Sequence, residues 1–162
     1  MKEFDTFEKV QNLFRNLNLD GENNNYFIAY KDIPKQVGLV GGAVGGMVQG
    51  MAHGMEYPFD AVLINNTEKG IAMILLTVEG ITWNFVKLEK LHVKDNEFIF
   101  IKNEDIENIT IKKFALLNST KKKIIIKTKN KKVYSLYANI NEPLLPYHNE
   151  NFNEFIKKYE KK

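Results

Sequence analysis

The sequence predicts a mainly β protein with flanking helices (α+β). Seven short strands form a sandwich or partly open barrel, a C-terminal helix caps it, and N-terminal helical segments precede it. Three observations predict this. From residue 57 to 138, runs of β-branched and aromatic residues alternate with clusters of Asn, Asp, Gly and Lys, the signature of short strands and turns. Phe152, Phe155, Ile156 and Tyr159 recur at i, i+3, i+4 and i+7, which is one face of a helix. Near the start, Phe4, Phe7, Val10, Phe14 and Leu17 recur every three or four residues, with Leu13 widening the stripe.

Residues 1–18 therefore read as an amphipathic helix. Its polar side carries Glu3, Asp5 and Glu8 beside Lys9 and Arg15, too acidic for a membrane-surface helix, so it is expected to pack on its own domain. The start of the chain lacks the basic-then-apolar order of a secretion signal, and the mature chain is expected to begin near residue 1. Asp20-Gly21 and the run Asn23-Asn24-Asn25 end the helix; that run reads as compositional bias. Residues 26–36 read as a connector. Tyr26, Phe27, Ile28 and Tyr30 could make a short strand or a turn of helix there, before Pro34 limits regular structure. Residues 37–55 are glycine-rich. The predicted strands are Tyr57–Asn65, Ile71–Val78, Ile81–Leu88, Glu97–Ile101, Ile106–Phe114, Lys123–Thr128 and Val133–Ala138. Ile81, Trp83 and Phe85 alternate with Thr82 and Asn84, as a strand requires. Pro143 and Pro146 precede the last helix, Asn149 is its expected N-cap, and Lys157, Lys158, Lys161 and Lys162 crowd its C-terminal end, where cations suit the helix dipole. The division expected is an N-terminal helical extension over 1–56 and a β domain over 57–162.

Composition narrows the function. With 162 residues, 44% hydrophobic and 27% charged, the chain can build one core. It has no cysteine, which removes disulfides, thiolate nucleophiles and Cys metal sites and fits a reducing compartment. The net charge is +3, so any electrostatic partner must be met by a local cluster.

The glycine-rich stretch holds seven of the ten glycines, and Gly38, Gly42, Gly46, Gly50 and Gly54 stand four apart. Glycine in a helix costs about 1 kcal/mol relative to alanine, so seven would cost roughly 6 to 7 kcal/mol on that scale. An isolated helix of this composition would not persist. Spacing by four suits close helix crossing. Three readings stay open: a glycine zipper in cis or in a homo-oligomer, a membrane-seated segment, or a loop. Gln49, His53 and glycine's low hydrophobicity argue against stable spanning. Neither G-x-x-x-x-G-K-[ST] nor G-x-G-x-x-G occurs.

The second cluster is basic. From Asn108 to Asn141 there is no acid, while Lys112, Lys113, Lys121, Lys122, Lys123, Lys127, Lys129, Lys131 and Lys132 supply nine cations. Lysines on an exposed strand discourage edge-to-edge pairing. The functional alternative is attraction to an anionic membrane surface or an acidic protein. Nucleic acid is disfavoured, because Arg15 is the single arginine and arginine is the usual base reader.

No reaction is legible. His53, His92 and His148 are isolated, Ser119 and Ser135 lack a nucleophile-elbow setting, and Glu104-Asp105 and Glu89 with Asp95 sit in turn-like segments. No catalytic residue, metal or cofactor is implied.

Seven strands closed by one C-terminal helix is the element order of the pleckstrin-homology superfold. Two stretches, Glu97-Phe-Ile-Phe-Ile-Lys-Asn-Glu-Asp-Ile-Glu-Asn-Ile-Thr-Ile-Lys-Lys-Phe and Ala138-Asn-Ile-Asn-Glu-Pro-Leu-Leu-Pro-Tyr-His-Asn-Glu-Asn-Phe, resemble bacterial PH-like domain proteins of Gram-positive organisms over residues 57 to 161. The resemblance implies a PH-like barrel and a lipid-, peptide- or protein-binding role. The phosphoinositide site of eukaryotic members does not carry over, since the first hairpin loop, Asn65-Asn66-Thr67-Glu68-Lys69-Gly70, has one lysine and one glutamate. The expectation is a non-enzymatic interaction and assembly module, with the glycine row mediating helix packing or self-association. The alternative is a peripheral membrane protein using residues 37–55 and the lysines of 112–132 on anionic lipid. The expected location is cytoplasmic, or the inner face of the cell membrane.

Overall fold

The computed structural model describes residues 2–32, 59–78 and 86–160. Seven strands, β1 (Tyr26–Lys31), β2 (Ala61–Asn66), β3 (Gly70–Val78), β4 (Leu91–Lys102), β5 (Ile106–Ala115), β6 (Asn118–Thr128) and β7 (Val133–Asn139), form one sheet in the order β4-β3-β2-β1-β7-β6-β5. Every pairing is antiparallel. Two meanders, β1 to β4 and β5 to β7, join where Tyr30 faces Tyr137 and Lys31 faces Leu136. β4 and β5 are the edges and do not pair with each other, so the sheet is not closed. Two helices flank it: α1 (Phe7–Asn16) and α2 (His148–Tyr159).

The strand count matches expectation, but the membership differs. Residues 26–31, expected in a connector, are the middle strand of the sheet, bonded to both β2 and β7. Part of segment 1–56 thus belongs to the same sheet as the strands after residue 60. The expected strand over 81–88 lies mostly outside the described residues; within them, Val86 and Lys87 are not in a strand and Leu88 opens a 3-10 turn.

Both faces of β1 to β3 are covered, which is why their burial shows no alternation. On one face Phe27, Val62, Ile64, Met73, Ile124, Ile126 and Leu136 share a cluster with Phe152 and Phe155 of α2. That cluster draws on both meanders, so the sheet curls around the helix. The Phe27 ring lies 5.1 Å from Phe152 and 4.8 Å from Phe155. Burying each such ring is worth about 1.5–3 kcal/mol. On the other face Ile28, Leu63 and Ile74 meet Phe4, Val10 and Phe14, so the N-terminal stripe packs on its own sheet. Thr6 caps α1 by accepting from the Lys9 amide at 3.3 Å.

Polar side chains lock these layers. His148, fully buried, opens α2. Its Nδ1 accepts from the Ile28 amide at 3.2 Å and its Nε2 lies 2.7 Å from the Asn139 carbonyl, which sets the tautomer with the proton on Nε2. Burial lowers its pKa from the ordinary 6.5. Asn149 is not the N-cap. Tyr147 holds that place without a side-chain bond to the helix amides, and Asn149 Oδ1 accepts from the Glu142 amide at 2.9 Å. The asparagine run has structural weight after all. Asn24 accepts from the Gly21 amide at 2.9 Å and from Asn65 at 2.8 Å, and Asn25 donates to the Asn151 carbonyl at 2.9 Å.

Candidate functional site

The basic segment folds into the β5–β6 hairpin. Its register places Lys112 opposite Lys123 and Lys113 opposite Lys122. Like charges directly opposite in a sheet are destabilising, and the acids that meet Lys122 and Lys123 offset that cost here. Ala115 faces Asn118, leaving Leu116 and Leu117 as a two-residue tip. These leucines are 94% and 98% exposed. Tight hairpin turns favour Asn and Gly, which tolerate positive φ. Among the described residues the non-glycines with positive φ are Asn18, Asn96 and Lys131, so the tip is built without such a residue. Two leucines at the point of greatest exposure are a poor turn and a poor water surface. Such a departure from local rules is expected where function needs it.

The sequence treats the nine lysines as one cluster; the fold separates them. Lys112, Lys113, Lys121, Lys122 and Lys123 surround the tip end of the hairpin. Lys127, Lys129, Lys131 and Lys132 lie toward the opposite end of β6, with Lys127 about 20 Å from Lys121 along the strand at about 3.4 Å per residue. The tip group divides again by role. Lys123 pairs with Asp32 at 2.5 Å, and Asp32 is buried and also accepts from Ser135 Oγ at 3.1 Å. That lysine fastens β6 to the end of β1. Lys122 pairs with Glu160 just beyond α2 at 2.6 Å. The Lys121 ammonium lies 5.0 Å from the Tyr137 ring centre and 5.7 Å from that of Phe114, a cation–π seat. Lys112 and Lys113 are exposed, with no acid against them among the described residues. Edge protection does not account for the set, because Lys121, Lys122, Lys123 and Lys127 are on β6, an interior strand.

The other candidates of the sequence fall elsewhere. The glycine row Gly38, Gly42, Gly46, Gly50 and Gly54 lies outside the described residues, as do His53 and Trp83. His92 is exposed on β4 and His148 is a buried strut. Glu104 and Asp105 form a 3-10 turn between β4 and β5. One buried polar pair was not foreseen. Tyr30 donates to Glu142 at 2.9 Å, and Asn139 donates to the same carboxylate oxygen at 2.5 Å. Burial, and then the Glu142 charge, push the Tyr30 pKa upward, so the phenol stays a neutral donor. It braces β1 against the β7–α2 connection. Among the described residues no group of three or more His, Cys, Asp or Glu could hold a metal ion, and no described helix is long and apolar enough to cross a membrane. Compared with family models, curated proteins and solved structures, the chain matches none.

Proposed function

We propose that the protein docks peripherally on anionic membrane surfaces through the β5–β6 hairpin. Leu116 and Leu117 enter the acyl boundary, while Lys112 and Lys113 meet lipid phosphates. The observation that carries this reading is the pair of leucines, almost wholly exposed at a turn collared by cross-strand lysine pairs. Burying a leucine is worth about 1.5–3 kcal/mol, and a lysine near anionic lipid about 1 kcal/mol. Neither contribution holds a protein alone; together they suffice for reversible attachment. In this reading the module is PH-like, supported by the strand order and the C-terminal helix, with lipid contact at the β5–β6 tip rather than at the β2–β3 loop.

The test is co-sedimentation with phosphatidylcholine vesicles, with and without phosphatidylglycerol, at low and high salt. The reading expects binding to the anionic vesicles alone, weakened by salt. Equal binding to both vesicle types, or none to either, would overturn it.

A further inference from the structure

The open seam of the sheet offers a second surface, independent of the hairpin tip. A cleft of about 620 Å³ runs beside β4. One wall is the strand itself, with Phe98 and Phe100 still 44% and 39% exposed. The facing wall carries Lys129, Lys132 and Tyr134, with Asp105 near the corner where β4 leads into β5. Among the described residues β4 pairs with β3 alone. The chain covers the beginning of this edge itself: Glu3 accepts from the Val93 amide at 3.3 Å, and Lys2 Nζ donates to the Leu91 carbonyl at 2.9 Å. Nothing comparable is recorded beside 97–101 among the described residues. That run, Glu97-Phe-Ile-Phe-Ile, has high β-propensity, no proline and a single charge. Edge strands normally carry lysines, prolines or bulges that discourage pairing. In β4 these features flank the run rather than interrupt it: Lys94 and the register shift precede it and Lys102 follows it.

We propose that the β4 edge takes an extended acidic peptide by strand addition. The peptide backbone bonds to the open groups of 97–101, apolar side chains on one face cover Phe98 and Phe100, and carboxylates meet Lys129 and Lys132. Main-chain bonds supply affinity and the side chains supply selectivity. Charge complementarity selects this occupant: the facing wall presents two lysines against one aspartate. The β4 strand of a second copy, with Lys94 and Lys102 balanced by Asp95 and Glu97, would bring no net negative charge to these lysines.

The experiment uses the whole protein without lipid, so its outcome is separate from that of membrane docking. Fluorescence anisotropy compares an alternating Glu-Val decapeptide with its Lys-Val counterpart and with an N-methylated Glu-Val version. Hydrogen exchange follows residues 97–101. The proposal expects the Glu-Val peptide to bind and to slow exchange at 97–101, and backbone methylation to abolish both effects. The double variant K129E/K132E should weaken it about tenfold and admit the Lys-Val peptide. Equal binding of the two peptides overturns the proposal, as does binding without protection at 97–101 or no binding at all. Concentration-dependent protection of 97–101 with no peptide present would assign the edge to a second copy and overturn it as well.

Discussion

Replacing Leu116 and Leu117 by serine should detach the protein from anionic vesicles while leaving its fold intact. The two halves of this prediction come from the same numbers. At 94% and 98% exposure, the leucines contribute almost nothing to the folded core, so L116S/L117S should keep its stability within about 0.5 kcal/mol. In the bound state the same groups move from water to the acyl boundary. At about 1.5–3 kcal/mol each, their loss removes about 3–6 kcal/mol of binding free energy. That corresponds to a partition coefficient roughly 100-fold to 10,000-fold lower, at 1.4 kcal/mol per decade. Vesicle flotation across a lipid titration measures the partition, and a urea melt measures the fold. A double variant that partitions like the wild type would refute the reasoning. So would one that loses binding only because its melt has collapsed.

Two further predictions separate structural from functional charges. K123M should destabilise the protein by about 2 kcal/mol in urea melts, because it leaves the buried Asp32 without its cation. K112Q/K113Q should leave the melt unchanged and weaken binding to anionic vesicles about 30-fold at low salt, at about 1 kcal/mol per lysine. The reverse ranking would invert the assignment. The buried His148 predicts a pH effect. Its folded pKa lies below the unfolded 6.5, so below that pH the unfolded chain binds a proton that the native state refuses. Stability should be level above about pH 6.5 and fall from there down to the folded pKa. H148Q should flatten the thermal melt series over that window; an unchanged slope would place the titration elsewhere.

Six of the seven strands were at least partly legible because β-branched runs and turn clusters announce them. The sixth expected strand boundary, Lys123, fell short of Asn118 because a leucine-then-asparagine segment reads as a turn, and the true turn is one residue earlier. In sequence, β1 stays open between a short strand and a turn of helix for a physical reason: a strand buried on both faces has no alternation to detect, and its neighbours are asparagines and Pro34. Half of β4 was missed for the opposite reason. Leu91–Asn96 is polar and is held in the sheet by pairing to β3 across a register shift between Ile74 and Leu76. The lysine cluster was visible as composition, but its division into anchors and exposed cations depends on Asp32 and Glu160, which are remote in sequence. Leu117 read as the start of a turn with Asn118, but that it and Leu116 stand together in water at the tip depends on the fold.

The absence of cysteine permits a direct measurement of the proposed docking. An environment-sensitive nitrobenzoxadiazole label on L117C reports the polarity at the tip, and the same label on K131C reports the far end of the hairpin. On adding phosphatidylglycerol vesicles, the label at 117 should shift to the blue and resist an aqueous quencher, while that at 131 stays in water. A label at 117 that remains fully quenchable on vesicles, or shifts no more than the one at 131, would contradict insertion of the leucine tip.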